Sequence, residues 1–266
     1  GRFTGIKSYR SVVWQSGVPR SSVPDIFPSL AEFTRYIDDL TAMRCIASGK
    51  DIWWYVRPHF LYKTIEFRIC DMPATLEDTL ALTALCQAMV AKLAWLDQRQ
   101  QSMPVLPRHY IEENLWRAVR DGLDAQVADF VRKRTLSMRA SLHELLDLVD
   151  DVVDDLGSRR EMNYLRALLE DPCGTGADRQ ITAYRLRENT QDVIRLLLDA
   201  TLRGIPAPQF TRPAHLSEPD TETRLPTPSL SHQIRPGHQF RKTAFVEAET
   251  EGRLPVLDPG QIDQSF

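Results

Sequence analysis

The segment Asp51–Asp71, DIWWYVRPHFLYKTIEFRICD, gathers Arg57, His59, Glu66 and Arg68 at strand-like spacing. Side chains on a strand alternate between its two faces. In the run Tyr62–Asp71, Thr64, Glu66, Arg68 and Cys70 therefore share one face, and Ile65, Phe67 and Ile69 share the other. The apolar row is expected on a core. The charged row costs too much to bury without partners. Such a face is either an exposed cross-strand pair or the floor of a site. As a site floor, Glu66 would bind a metal ion and Arg68 would hold a phosphoryl group in transfer. Arg57 and His59 share a face of the preceding run with Trp53 and Tyr55, and can add charge to the same floor.

Three other stretches carry chemical potential. Glu112–Asp124, EENLWRAVRDGLD, sets Glu113, Arg117 and Arg120 near one helix face and Asn114, Arg117 and Asp121 near another. Taken alone it reads as a solvated helix with a Glu113–Arg117 ion pair. Cys173–Gln180, CGTGADRQ, is a glycine turn running into a helix, with Thr175 placed to cap it and Asp178 in its first turn, a geometry able to hold an anion. No Lys-Ser/Thr follows, so it is not a phosphate-binding P-loop. Arg10 in SYRSVVW offers a planar fork for a carboxylate or phosphate, although a surface-loop arginine explains it equally well.

These groups need a scaffold. Strands are predicted over 52–60 and 62–71, and Ser11–Trp14 reads as the start of another. Ser29 is placed to cap a helix reaching about Ser48, with Leu30, Phe33, Ile37 and Leu40 at helical spacing. Thr75 caps a helix to about Gln98, with the acids Glu77 and Asp78 at its start, that is apolar nearly all round, which predicts burial on most sides against the back of the sheet. Helices over 141–156, 159–169 and 190–203 complete a helix-rich α+β domain with an antiparallel sheet and buried helices, while periodicity over 126–138 does not decide between strand and helix. Asp147, Asp150, Asp151, Asp154 and Asp155 form a solvated face, because no glycine turn or EF-hand spacing accompanies them.

At 266 residues, 42% hydrophobic and 26% charged, the chain can bury one sizeable core. A net charge of −3 gives no reason to expect nucleic acid or an anionic membrane as partner. Cys45, Cys70, Cys86 and Cys173 lack metal-ligand spacing and read as free thiols of a reducing cytoplasm. No stretch reads as long and apolar enough to span a membrane. From Ile205 prolines multiply while apolar periodicity disappears, so 205–266 reads as a disordered tail or linker beyond a domain over 1–204.

Four separated blocks resemble the carboxylate–amine ligases, the type-two glutamate–cysteine ligases with a fold like glutamine synthetase. They are Thr4, Gly5, Ser8, Tyr9 and Arg10; Trp53, Trp54, Arg57, Pro58, Thr64, Glu66, Arg68 and Asp71; Asn114, Trp116, Arg117, Arg120, Gly122 and Asp124; and Arg179 with Gln180. Leu115 and Asp121 depart from the pattern of the third block. The resemblance covers about residues 3–204, corresponds to the C-terminal half of such an enzyme and implies a short strand pair within 126–138. It implies ATP-dependent joining of a glutamate side-chain carboxylate to an amine such as that of cysteine, through an acyl phosphate and with Mg²⁺. Arg68 and Arg57 would then be catalytic and Glu66 a metal ligand. Arg10, Asn114, Arg117, Arg120, Arg179 and Gln180 would bind nucleotide or substrate. A homodimer is compatible with this reading. The glutamate-rich metal strand of the family's first half has no counterpart here, so a catalytically silent dimerisation or interaction module is the alternative.

Overall fold

The computed structural model describes residues 4–17, 19–59, 62–101 and 103–203. The expected tail over 205–266 lies outside the described residues. Within them eight helices alternate with short strands: α1 (Tyr9–Gly17), β1 (Ser21–Ser22), α2 (Leu30–Ala42), β2 (Trp53–Trp54), β3 (Val56–Pro58), β4 (Ile65–Phe67), α3 (Leu76–Gln98), α4 (Arg108–Asp121), β5 (Gln126–Asp129), β6 (Arg134–Ser137), α5 (Met138–Val153), α6 (Arg159–Glu170), α7 (Gly176–Arg187) and α8 (Thr190–Thr201). The fold is α+β and helix-rich, as the sequence predicts.

The strands do not join into one antiparallel sheet. They form three two-stranded pieces: β1–β2 parallel, β3–β4 antiparallel and β5–β6 antiparallel. The expected strands over 52–60 and 62–71 shrink to β2, β3 and β4. In the β3–β4 register Arg57 lies opposite Glu66. The faces are also inverted relative to the simple expectation. Ile65 and Ile69 are exposed at 51% and 41%, while Arg57 is only 6% exposed. Hydrogen bonding explains the inversion. The Arg57 guanidinium donates through Nη1 to the carbonyls of Gly49 (3.2 Å), Lys50 (3.0 Å) and Ile52, which satisfies a buried charge with backbone acceptors.

Two helices differ from expectation in kind or length. Ser11–Trp14 belongs to α1 rather than to a strand, since helical spacing places Arg10 and Trp14 on one face. Both then meet the end of β4: Arg10 Nη2 donates to the Arg68 carbonyl at 3.0 Å, and the Arg68 guanidinium lies 5.7 Å from the Trp14 ring centre. The Ser29 side chain caps α2 as predicted, but the helix ends at Ala42 rather than near Ser48. Arg44 beyond it has a positive φ of 56°, a conformation that does not continue a right-handed helix. One face of α2 covers Trp54, with Tyr36 stacked on its ring at 5.7 Å, in a small cluster with Ile46 and Ile52.

The largest core forms between α3, α5 and α6. It contains Ala84, Ala88, Leu123, Leu146, Val149, Val153, Met162 and Leu169. Thr75 caps α3 as predicted, accepting from the Asp78 amide. The helix is not buried on most sides, nor does it back a sheet. Its alanine face (Ala81, Ala84, Ala88) packs inward, while Leu76, Leu80 and Leu93 are exposed at 67%, 48% and 52%. Small side chains let α5 and α6 approach closely, which leaves the bulky residues outside. By length and composition α3 is also long and apolar enough to cross a bilayer, contrary to the reading of the sequence. In this fold it packs on α5 and α6, and its Lys92 pairs with Asp151 of α5 at 2.6 Å.

The strand pair that the resemblance implies within 126–138 is present as β5–β6, α6 and α8 fall close to the predicted bounds, and α5 begins and ends three residues earlier than expected. Aspartates of α5 and its C-cap are bound by basic residues, Asp147 by Arg166 (2.8 Å), Asp150 by Arg159 (2.6 Å) and the C-cap Asp154 by Arg159 (2.8 Å). No group of three or more potential metal ligands occurs among the described residues. Met162, 1% exposed, is among the largest fully buried side chains of the described residues. Met162→Ala is expected to cost about 2–5 kcal/mol in urea unfolding, and Leu80→Ala under about 1 kcal/mol.

Candidate functional site

A cleft of about 570 Å³ opens between the segment before α1, the Cys70–Pro73 turn, the first turns of α3, the C-terminal end of α4 and the turn leading into α7. All four sequence blocks contribute lining residues. Thr4, Ser8 and Tyr9 come from the first, Asp71 from the second, Gly122 from the third, and Arg179 and Gln180 are the fourth, with Gly174 to Ala177 just before them. Backbone hydrogen bonds fix this convergence. The Lys7 amide donates to the Arg120 carbonyl (3.2 Å) and the Ser8 amide to the Val119 carbonyl (3.0 Å), which ties the chain before α1 to the end of α4.

Two glycines are required by close approach. Gly122 caps α4 at φ +60°, and a Cβ there would stand 3.2 Å from Lys7 Cγ. A Cβ on Gly174 would come within 2.2 Å of the Leu168 carbonyl oxygen, so no other residue fits the turn between α6 and α7 without movement. Thr175 then caps α7 by accepting from the Asp178 amide at 3.1 Å. Gly176 and Ala177, in the first turn of α7, face the cleft. First-turn amides lack intrahelical acceptors, which favours an anion.

Ion pairs organise the cleft wall. The Lys7 ammonium contacts the Asp178 carboxylate and lies 3.5 Å from Asp124. Burial works against the Lys7 charge, but hydrogen bonding and attraction from Asp178 and Asp124 outweigh it and raise its pKa. Burial likewise acts to raise the Asp178 pKa, yet the Lys7 and Thr175 hydrogen bonds hold it below the ordinary value of 3.8. Asp78, 7% exposed, accepts from Tyr164 Oη (2.7 Å) and Arg179 Nη2 (2.6 Å). Arg179 also donates to the Gly174 carbonyl at 2.8 Å, which closes the turn. Burial first, then the hydrogen bond to Asp78, keeps the Tyr164 hydroxyl protonated.

Glu66 and its two arginines form a second cluster beside the cleft. Glu66 Oε2 accepts from Arg57 Nε at 2.8 Å, and Oε1 from Arg68 Nη1 at 2.8 Å. Burial would raise the Glu66 pKa, but these two guanidinium groups hold it low. Arg68 Nε is buried with no acceptor among the described residues. Arg10 bridges to the cleft: it donates to the Arg68 carbonyl and lies 3.5 Å from Asp71, which lines the cavity. Both Glu66 oxygens are thus taken by cations. With no other carboxylate cluster among the described residues, these groups do not by themselves fit a magnesium ion.

The expected site residues accordingly separate into three places. Arg57, Glu66 and Arg68 are brought together at β3–β4, where Arg10 reaches them from α1, and Arg179 and Gln180 stand in the cleft. Asn114, Arg117 and Arg120 do not reach it. Asn114 clamps β5 by exchanging hydrogen bonds with Ala128 (2.8 and 2.9 Å). Arg117 pairs with Glu113 at 2.7 Å, as the helix spacing predicts, and Arg120 pairs with Asp121 at 2.8 Å on the surface. Sequence reasoning missed Lys7, Asp78, Tyr164 and Asp178. Lys7 stands inside the first block, but Asp78 and Asp178 read only as helix-start acids, and nothing local marks Tyr164.

The profile of glutamate-cysteine ligase family 2 matches residues 1–199. Proteins named "Putative glutamate--cysteine ligase 2" are similar to the chain. The one from Chloroflexus aurantiacus is 43% identical over 210 residues, 79% of this chain and 53% of that protein. Those from Solibacter usitatus and Sorangium cellulosum are 41% and 40% identical, each with 54% of its length matched and with 79% and 77% of this chain covered. The chain spans about half the length of these curated relatives. It belongs to glutamate–cysteine ligase family 2.

Two measurements test the wall. Asp78→Asn should lower stability in urea by about 1–3 kcal/mol and Tyr164→Phe by about 1 kcal/mol, since each unmakes a buried hydrogen bond. A double-mutant cycle of Asp78→Asn with Arg179→Gln should show coupling. A depressed carboxyl pKa contributes stability above its unfolded value, and that contribution is lost as pH falls through the folded value. Asp178→Asn should therefore flatten the decline of Tm with acidification that the wild-type chain shows below about pH 4. An unchanged acid limb would refute the Lys7–Asp178 assignment.

Proposed function

We propose that this chain forms part of the active site of an ATP-dependent carboxylate–amine ligase that joins glutamate to an amine such as cysteine. The observation that carries this reading is the convergence of all four ligase-like blocks on one cleft rimmed by Lys7, Arg179 and the start of α7. The names of the relatives support the same class, and no observation favours the silent interaction module.

In the proposed reaction the glutamate side-chain carboxylate attacks the γ-phosphorus of ATP and ADP leaves. The amine then displaces phosphate from the acyl phosphate, forming the amide and losing one proton. The transition state of the first step spreads negative charge over the phosphoryl oxygens, and fixed guanidinium groups stabilise it. Arg68 is assigned that task from its place in the second block beside the cleft, with its Nη1 held by Glu66 and its carbonyl tied to Arg10. Arg57, tied to three backbone carbonyls, is the positioning residue that keeps Glu66 and hence Arg68 in place. Glu66 would have to release an arginine to bind Mg²⁺, so the geometry favours its role in orienting Arg68, and no step here is routed through a metal. Lys7, Arg179, Gln180 and the first-turn amides of α7 would receive the anionic substrate groups. The reading places the enzyme in the cytoplasm.

The test joins the chain to the portion of the Chloroflexus relative that it does not match and follows ADP release. ADP should form only when both glutamate and an amine are present. Arg68→Lys keeps the charge but loses the planar fork, and should lower kcat roughly ten-fold or more with little change in Tm. An unchanged rate in that variant would remove Arg68 from the mechanism. Absence of amine-dependent ADP release in the joined wild-type protein would overturn the ligase reading.

A further inference from the structure

β4 presents an apolar face and an open edge to solvent, and the proposed ligation uses neither. In the β3–β4 register Arg57 lies opposite Glu66, Val56 opposite Phe67 and Pro58 opposite Ile65. Side chains alternate, so the Arg57–Glu66 pair takes one face of this ribbon and Val56, Pro58, Ile65 and Phe67 take the other. Arg57 is turned inward to the carbonyls of Gly49 and Lys50, which turns the apolar face out. Ile65 and Pro58 are exposed there, and Val56 and Phe67 are half-buried. Two strands alone are marginally stable in water, so such a ribbon gains from a third.

The backbone of β4 is unpaired along one side. The His59 amide donates to the Thr64 carbonyl at 2.9 Å, and the Arg68 amide to the Tyr55 carbonyl at 2.7 Å. In an antiparallel pair, residues bonded in this way alternate with residues whose backbone groups point away from the partner strand. Thr64, Glu66 and Arg68 therefore face β3, while the amides and carbonyls of Ile65 and Phe67 point to the opposite edge. Among the described residues nothing pairs with them there, because β4 has β3 as its one neighbour. An edge of this kind is a template for a further strand.

We infer that the outer edge of β4 is the docking site for an extended segment from the portion of a family 2 protein that this chain does not match. The segment adds as a strand beside β4, with apolar side chains at alternate positions meeting Ile65 and Phe67. Coverage and position name this occupant. The chain is matched to 53–54% of the length of its relatives, which leaves a second portion of comparable size. β4 carries Glu66 and leads into Arg68 and Asp71 of the second block, and Asp71 lines the cleft. A strand on the outer edge would run beside that block to the cleft, where the other three blocks also meet. The inference rests on family membership and on the open edge, not on the ligase reading.

The experiment produces the full chain together with the portion of the Chloroflexus aurantiacus relative that it does not match, and purifies through a tag on that portion. A complex with one copy of each is expected. Residue-resolved amide exchange should slow roughly ten-fold or more at Ile65 and Phe67 on complex formation, and change little in α5. Ile65→Lys should leave the Tm of the chain alone nearly unchanged, as Ile65 is 51% exposed, and weaken the complex roughly ten-fold or more. Ile65→Pro removes an amide that β3 does not use and should weaken the complex likewise. Failure of the two portions to co-purify, Ile65 and Phe67 amides that exchange as fast in the complex as in the chain alone, or unchanged affinity in both variants would overturn the proposal. Protection of those amides by self-association of this chain would overturn it too. No step of the test uses ATP, glutamate or an amine, so it can fail while the ligase reading stands, and the reverse.

Discussion

Arg57 carries a charge that cannot be neutralised, at a position nearly closed to water, and the centre of the structure is arranged around satisfying it. Three backbone carbonyls from the turn at 49–52 and the carboxylate of Glu66 surround the guanidinium. Removing one partner of a buried pair leaves an uncompensated charge, which is far costlier than losing a surface ion pair. The requirement fixes the register of β3 on β4 and turns Glu66 inward. Glu66 in turn holds Arg68, and the Arg68 carbonyl receives Arg10 from α1. A chain of single-partner choices thus runs from a buried charge to the rim of the cleft.

The hydrophobic scaffold acts on a different part of the molecule. Short side chains on α3 let α5 and α6 close on it, and the core they form positions α6 and the turn behind it. Gly174 is squeezed against the Leu168 carbonyl at the end of α6, which sets where α7 begins. Asp78, near the start of α3, reaches across to Tyr164 on α6 and Arg179 on α7. One buried carboxylate therefore joins the three helices that form much of the cleft wall. The polar contacts give that wall its direction, and apolar packing gives it rigidity.

Charge in the cleft is close to balanced, because Lys7 and Arg179 already have carboxylate partners. An anionic substrate would compete with Asp178 and Asp78 rather than meet bare cations. Such pairing keeps the cationic side chains ordered, so that less conformational freedom is lost on binding.

The sequence by itself determined most of the helices and the chemical vocabulary, though not the helix at Ser11–Trp14 or the short extent of the strands. Caps at Ser29, Thr75 and Thr175, the Glu113–Arg117 spacing and the four blocks were all legible, because each depends on residues a few positions apart. Tertiary structure alone decided which face of β4 points inward, since alternation defines two faces but does not say which one a distant turn will cover. It decided that Asn114 serves β5 and that Arg120 stays on the surface, whereas Lys7, Asp78, Tyr164 and Asp178 build the cleft. The partners in those contacts are separated by 86, 101 and 171 positions, for Tyr164–Asp78, Arg179–Asp78 and Lys7–Asp178. No local pattern encodes an ion pair across such a distance; it exists only once the helices have packed.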